Sequence, residues 1–379
     1  MLKAFQYRIY PNPSQSKALS KAFGCCRFLY NKALEHKKNT YESSKKSIYY
    51  NELATSFLKD LKQELIWLQE TPSQALQQSL KHLDSAYKRF FKFKKGFPSF
   101  KSKYSKQSFS LPQFVKINFK DSTISIPKIG TIKARLHRTF EGIIKTCTVS
   151  KTCTNKYYIS VLVDNKEELP QIISGDKNIG IDLGIKTFAT FSNGNKIDNP
   201  KFYHKSLRKL KALQKVLSSK IKGSSNYRKL KYKLAILHEK ICNKRDNFLH
   251  QISKDIINNN HVIITEDLDI KSLLEKSYTS MSRNIGDVSW SKFVQMLEYK
   301  AAWNGKRLIK IGRYEPSSKK CSECGNINSE LKLEDREWKC KSCGKEHDRD
   351  VNAAKNVLKF GMEQTELKCL ESANSIESS

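Results

Sequence analysis

No stretch of this sequence approaches the ~18 consecutive apolar residues that a membrane-spanning helix needs, so no span is expected. The start, Met1-Leu2-Lys3-Ala4-Phe5, lacks the apolar core of a secretory signal, and the expectation is a soluble intracellular chain. Acidic residues are scarce: 37 Asp and Glu stand against 70 Lys and Arg, a formal net charge of +33. A field of that sign attracts polyanions and speeds encounter with them. DNA and RNA remain as partners, and an anionic membrane is the weakest candidate. No internal repeat is present. Most of the ten cysteines also lack any pattern: Cys25, Cys26, Cys147, Cys153, Cys242 and Cys369 have no ligand-like spacing. They read as small buried residues or free thiols in a reducing compartment. The length of 379 residues allows two to four domains.

Residues 2–10 alternate as a strand would. Asn12-Pro13-Ser14-Gln15 then has the form of a helix start, with Asn12 as N-cap, Pro13 in the first turn and Gln15 at the capping-box position. Leu19, Ala22, Phe23, Cys26, Leu29, Ala33 and Leu34 follow at helical spacing, and helical periodicity continues over 47–92 with an interruption at Thr71-Pro72. Several short strands are expected over 107–165, among them 122–126 and 157–163, forming a small β-barrel that the strand at 2–10 joins. Strands are also expected at 178–184, 187–191, 261–267 and 307–311. A turn is expected at Asn193-Gly194, a helix near 288–303, and another from Asp350.

Two segments carry dense positive charge. Residues 88–106 hold eight cations (Lys88, Arg89, Lys92, Lys94, Lys95, Lys101, Lys103 and Lys106) among six aromatic residues, with no acid. Lysines neutralise phosphates and aromatic rings stack on bases; the plainer alternative is an aromatic core stripe beside solvated lysines. Residues 201–245 hold fifteen Lys and Arg against one acid, Glu239, on a helical stretch broken at Gly223. Arg208, Lys209, Arg228 and Lys229 on this stretch are candidate polyanion contacts.

Cys321, Cys324, Cys340 and Cys343 form two Cys-x2-Cys pairs separated by fifteen residues, a spacing typical of zinc. Four thiolates close a tetrahedral shell, so one Zn²⁺ here would be structural. The intervening segment is too short and polar to hold a core alone, and Lys319, Lys320, Lys339 and Lys341 should favour the thiolate form.

Three acids stand out. Asp182 lies between Gly180 and Gly184, which share its strand face, while Ile179, Ile181 and Leu183 share the other. The two missing side chains suggest room for a metal or a nucleic-acid backbone. Glu266 ends a second apolar strand, and Asp350 opens a helix, where it could equally be an N-cap. Together they suit hard divalent cations such as Mg²⁺, two of which can clamp a phosphodiester.

The order Gly180-Ile181-Asp182-Leu183-Gly184, Thr265-Glu266-Asp267-Leu268, the two Cys-x2-Cys pairs, then His347-Asp348-Arg349-Asp350-Val351-Asn352-Ala353-Ala354 resembles the TnpB (OrfB) proteins of insertion sequences. Phe97-Pro98-Ser99-Phe100-Lys101-Ser102 and Glu315-Pro316-Ser317-Ser318-Lys319-Lys320-Cys321 share that likeness, which runs to about residue 360. The resemblance implies an α/β multidomain chain: an RNase H-like (RuvC) nuclease domain over 175–312 and 346–361, and an inserted zinc ribbon over 313–345. It further implies a β-barrel wedge domain over 1–10 and 107–170 and a helical recognition domain over 11–106. Residues 362–379 are expected to form a disordered tail. The implied activity is RNA-guided, Mg²⁺-dependent DNA cleavage next to a short adjacent motif, related to the type V CRISPR effectors. The implied catalytic acids are Asp182, Glu266 and Asp350, with Asp267 and Asp348 as neighbours that spacing does not exclude. The partners would be a guide RNA from the same element and double-stranded DNA, in a prokaryotic cytoplasm at the nucleoid. Two other functions fit the same residues: an RNA-guided repressor that binds without cutting, and a guide-independent transposase or junction nuclease.

Overall fold

The computed structural model describes residues 1–377 apart from Ser174, Tyr314 and Leu333, with side chains as far as residue 364. Met1–Glu168 and Leu169–Ser379 form two compact units.

In the first unit, β1 (Leu2–Tyr10) buries Tyr7 and Ile9 on one face. Asn12 then starts α1 (Pro13–Ser44) through the expected capping box: its side chain accepts from the Gln15 amide at 2.9 Å, and Gln15 Oε1 accepts from the Asn12 amide at 3.0 Å. The apolar positions Leu19 to Leu34 are buried as their spacing requires. Shorter pieces follow: α2 (Tyr50–Glu52), a π-helical turn at Leu53–Phe57, α3 (Leu58–Glu64) and a 3-10 turn at Ile66–Glu70. Pro72 precedes α4 (Ser73–Phe93), which lays Leu76, Leu80 and Leu83 into the core shared with α1.

The remaining strands are β2 (Gln107–Leu111), β3 (Lys116–Asn118), β4 (Thr123–Ile126), β5 (Gly130–Arg135), β6 (Ile143–Lys151) and β7 (Tyr157–Asp164). They join β1 in one antiparallel sheet of order β2-β6-β7-β1-β5-β4-β3, so β1 is inserted at its middle. The edge strands are β2 and β3, and among the described residues no ladder joins them. β3 spans three residues and buries none of them fully, and β2 instead packs on α1 and α4, with the Phe23 and Phe109 rings 5.3 Å apart.

The second unit contains β8 (Asn178–Leu183), β9 (Thr187–Phe191), β10 (Lys196–Asp198), α5 (Phe202–Ser218) and α6 (Ser225–Asn259). Then come β11 (Val262–Glu266), α7 (Ile270–Lys276), α8 (Thr279–Val288), α9 (Trp290–Trp303) and β12 (Arg307–Ile311). The sheet order is β10-β9-β8-β11-β12, with β8, β11 and β12 parallel and β9 and β10 antiparallel. Gly194 (φ +90°) makes the expected turn, and Gly223 (φ +89°) separates α5 from α6. A short hairpin, β13 (Glu337–Lys339) and β14 (Glu346–Asp348), leads into α10 (Arg349–Glu377). The hairpin's second strand thus runs past residue 345, the expected end of the ribbon. α10 extends to Glu377, through the segment expected as a tail. Met362 to Ala373 contain no Gly or Pro, so their polarity does not stop the helix.

The sheet is covered on both faces. Ile179, Ile181 and Ile263 pack with α6 and α9 through Leu249, Ile252, Phe293 and Leu297. On the other face, Ile264 and Ile311 pack on Val357 and Phe360 of α10. Two glycines allow this close approach. A Cβ on Gly180 would lie 2.2 Å from the Ala354 carbonyl and 2.6 Å from the Leu358 amide, and one on Gly361 would lie 2.4 Å from Ile264. The space expected for a ligand at Gly180 is therefore filled by the α10 backbone. At Gly184 it is filled by the Thr187 carbonyl, which would stand 2.7 Å from an added Cβ. Gly180→Ala should accordingly destabilise the unit by about 1–3 kcal/mol, as read from the shift in a urea melt. An unchanged midpoint would show that α10 is not seated there.

Candidate active site and cysteine cluster

Strand register brings the acids together. Thr265 of β11 pairs with Ile181 of β8, so the next step along the parallel ladder sets Glu266 beside Asp182. Asp182 shares the face of Gly180, and Glu266 that of Ile264, so both point toward α10. Asp350, Ala354 and Leu358 recur every four residues on α10 and share one face. The last two lie over Gly180, which carries Asp350 to the end of the sheet where Asp182 stands. This is the carboxyl end of the parallel strands, the usual location of a site in an open α/β sheet.

Asp182 is half-buried, and its carboxyl is pushed up to about 8, first by burial and then by the negative charges of Glu266 and Asp350; Arg349 and Arg336 oppose the shift. The other two acids have protein partners. Glu266 Oε1 accepts a hydrogen bond of 2.6 Å from the Ser317 hydroxyl, and Asp350 Oδ1 pairs with Arg336 Nη1 at 3.2 Å. The two neighbours take other roles. Asp267 pairs with Arg313 at 2.6 Å. Asp348 caps α10 by accepting from the Val351 amide at 3.0 Å, and pairs with Lys196 at 2.6 Å. Although burial works against it, those contacts hold the Asp348 carboxyl below its ordinary value. The N-cap is therefore Asp348, which leaves Asp350 in the first turn of the helix, facing the sheet.

The raised Asp182 carboxyl has a consequence for stability. Its value is near 4 in an unfolded chain and about 8 when folded, so the folded chain holds the proton more tightly. The stabilisation is present at low pH and is lost as pH rises from about 4 through about 8. In EDTA, thermal melts across that interval should fall more steeply for the wild type than for Asp182→Asn. Equal slopes would show that this carboxyl ionises freely.

The four cysteines converge as their spacing requires. Their sulfurs all lie within 4.8 Å of one another, the single such His, Cys, Asp or Glu group among the described residues. Each pair ends in a glycine with positive φ, Gly325 at +77° and Gly344 at +74°. Gly325 and Gly344 donate to the Cys321 and Cys340 carbonyls at 3.0 and 2.9 Å, closing two matching knuckles. The Cys340 thiol is held down to about 6, chiefly by the backbone amide of Cys343 and then, against burial, by that of Ser342. Of the flanking lysines, Lys339 and Lys341 pair with Glu346 and Glu330. The metal fit is good: four sulfur donors, with buried His347 placing Nε2 3.0 Å from Cys321 Sγ.

Several contacts that the sequence does not announce tie this module to the acids. The buried Asn352 accepts from the Ser322 amide at 2.9 Å and donates to the Lys320 carbonyl at 2.8 Å. The buried Asn356, one turn on, donates to the Ser317 carbonyl at 2.7 Å and the Lys320 carbonyl at 2.6 Å. Their spacing of four residues is the available signal for a shared helix face.

The charged segments are exposed. Phe91, Phe93, Phe97, Phe100 and Tyr104 are each at least 47% exposed, and Phe90 is half-buried, so these rings do not form a buried core stripe. Lys88 pairs with Asp84 at 2.9 Å, and the Lys92 ammonium lies over Phe93. Arg89 bonds the Ser85 carbonyl, and Lys94 ends α4 with positive φ. The Lys101 ammonium lies 3.8 Å from the Tyr30 ring centroid; Lys95 and Lys103 are exposed. In the second unit Arg208 and Lys209 are exposed on α5, and Arg228 and Lys229 on α6. Of the unpatterned cysteines, Cys25, Cys26 and Cys147 are buried, Cys153 and Cys242 exposed, and the side chain of Cys369 lies outside the described residues. No helix is long and apolar enough to cross a membrane, among the described residues.

Fold and site together define a mixed α/β chain with an acidic strand-end cluster and a four-cysteine module. The same fold occurs in the Cas12f1 chain of a Cas12f1–sgRNA–target DNA complex, with a TM-score of 0.52 over 94% of this chain and 98% of that one, at 14% identity. Three family profiles match: "Probable transposase" at residues 158–277, "Cas12f1-like, TNB domain" at 290–357 and "Helix-turn-helix domain" at 1–46. In the structure, residues 1–46 hold the strand β1 and the helix α1. A "Putative RNA-guided DNA endonuclease" of Streptomyces pristinaespiralis is 36% identical over 95% of this chain and 89% of its own length. The "Putative RNA-guided DNA endonuclease InsQ" of Escherichia coli (strain K12) is 33% identical over 95% and 92%. The chain belongs to the OrfB (TnpB) family of RNA-guided endonucleases that these relatives represent.

Proposed function

We propose that this chain is an RNA-guided, Mg²⁺-dependent DNA endonuclease of a transposable element, in which Asp182, Glu266 and Asp350 are the catalytic acids. The observation that carries the reading is the convergence of these acids at one sheet end, where Asp182 is pushed up to about 8 by burial and its two acidic neighbours. A buried carboxyl with two acidic neighbours marks a site suited to a counter-cation, and oxygen donors suit Mg²⁺. When bound, two such ions supply an activated water and stabilise the leaving oxygen of a phosphodiester. The three carboxylates would hold them. Arg336, at 3.2 Å from Asp350, is placed to meet negative charge that develops on the phosphate.

The strand order β10-β9-β8-β11-β12 supports an RNase H-like (RuvC) reading of the second unit, with the cysteine module as a ribbon holding one structural Zn²⁺. The first unit serves as wedge and recognition domains and reads the short motif beside the target. Exposed rings and cations at 88–106, with Arg208, Lys209, Arg228 and Lys229, contact guide RNA or DNA through phosphates and stacking. Base pairing between guide and target strand carries most of the specificity.

RNA copurifying with the chain should be sequenced and the complex given Mg²⁺ and matched duplex DNA. A defined RNA with a variable 3′ segment, and cutting only of DNA matching that segment, is the expected outcome. Cutting that ignores the segment would leave a guide-independent nuclease, and tight binding without cutting would leave a repressor.

A further inference from the structure

Ser317 lies in the segment between β12 and the first knuckle, and is 7% exposed. Its hydroxyl donates to Glu266 Oε1 at 2.6 Å, while its carbonyl accepts from Asn356 of α10 at 2.7 Å. One residue therefore touches the strand that carries Glu266 and the helix that carries Asp350. Asn356 also holds the Lys320 carbonyl beside Cys321, and Asn352 holds both Lys320 and Ser322. The position of the Ser317 hydroxyl is thus set by the first knuckle and by two buried amides.

We propose that Ser317 is a positioning residue that aims the Glu266 carboxylate at the metal site, and that the cysteine module acts on the chemistry through it. This role rests on the proposed function of the three acids. A glutamate at a strand end has three side-chain torsions to fix before it can serve as a ligand. Binding one oxygen to a buried hydroxyl fixes them and leaves the other oxygen free to coordinate. Asp350 is fixed differently, by the short helix-to-sheet distance at Gly180 and by Arg336. Glu266 lies on the strand end, and Ser317 is its hydrogen-bond donor on the module side. Partners that orient a metal ligand in this way are typically worth about 10–100-fold in metal affinity or activity.

The test is Mn²⁺ affinity, measured by the loss of the free-ion electron paramagnetic resonance signal, on the RNA-bound protein. Ser317→Ala should bind Mn²⁺ about 10–100-fold more weakly. The Mg²⁺ concentration for half-maximal cutting should rise by a similar factor, with the rate recovering at saturating metal. Ser317→Thr, which keeps the hydroxyl, should restore both. Bound zinc and guided DNA binding in EDTA should equal those of the wild type. Unchanged Mn²⁺ affinity in Ser317→Ala would overturn the inference. So would loss of zinc from that variant, because the hydroxyl would then be holding the module rather than the carboxylate. A rate that saturating Mg²⁺ fails to restore would overturn it as well. Asp182→Ala separates the two layers: if it still cuts, the proposed site is wrong, whereas if it is inactive and Ser317→Ala behaves as wild type, only the role of Ser317 fails.

Discussion

Asp182→Ala should lower guided cleavage at least about 10³-fold, the equivalent of the several kcal/mol that metal-ion catalysis supplies to a phosphodiester transition state, while guide RNA binding stays unchanged. The expectation follows from where the residue sits. Asp182 is on the central strand β8, with Glu266 on the next strand and Asp350 on the helix above. Its ionisation is opposed first by burial and then by the charges of the other two, and a shared cation would relieve that opposition. Truncation to Ala removes that ligand without adding volume near α10. It also removes a carboxyl that ionises near 4 in the unfolded chain but only at about 8 when folded, so the metal-free variant should melt at a higher temperature than the wild type at neutral pH. Higher stability with lost activity is a combination that a folding defect does not produce. Single-turnover cleavage and a gel-shift titration of the RNA measure the two halves. Mg²⁺-dependent cutting that survives in this variant would remove Asp182 from the site.

Local features are legible in the sequence because their causes are local. The Asn12 to Gln15 capping box, the breaks at Pro72 and Gly223 and the strand at 178–183 each depend on a few adjacent residues, and each is present. Asp182, Glu266 and Asp350 are legible as a set, and the ladder and helix packing bring them to one end of the sheet. The bare Gly180 is half legible. A missing side chain says that something approaches, and the occupant is the α10 backbone rather than a ligand. The contacts of Ser317 with Glu266, Asn356 with Ser317 and Arg336 with Asp350 are not legible. They join segments 51, 39 and 14 residues apart, and their side chains match no spacing rule.

The second large effect is expected at Cys340. Among the described residues the module's buried apolar cluster consists of Cys321, Leu331, Trp338 and Cys340, two of which are proposed metal ligands, so it has little else to fold around. Structural zinc contributes about 10–16 kcal/mol to the folding of zinc-finger peptides, so a module of this kind should not persist without it. Cys340→Ser removes one of four sulfurs, the one that the amides of Cys343 and Ser342 hold down to about 6. Zinc should fall from one per chain toward none, and amide hydrogen exchange should rise across 313–345. The loss should then travel by three routes. Ser317 would release Glu266, Arg336 would release Asp350, and Lys320 and Ser322 would release Asn352 and Asn356 at the start of α10. Cleavage should therefore fall by more than the ~100-fold upper bound for one orienting partner. The sheet formed by β8, β9 and β11 should remain protected from exchange, because its core of Ile179, Ile181, Ile263 and Phe293 contains nothing from the module. A variant that keeps one zinc per chain would defeat the ligand assignment. One that loses zinc yet cuts at the wild-type rate would show that the acids are held in place without the module.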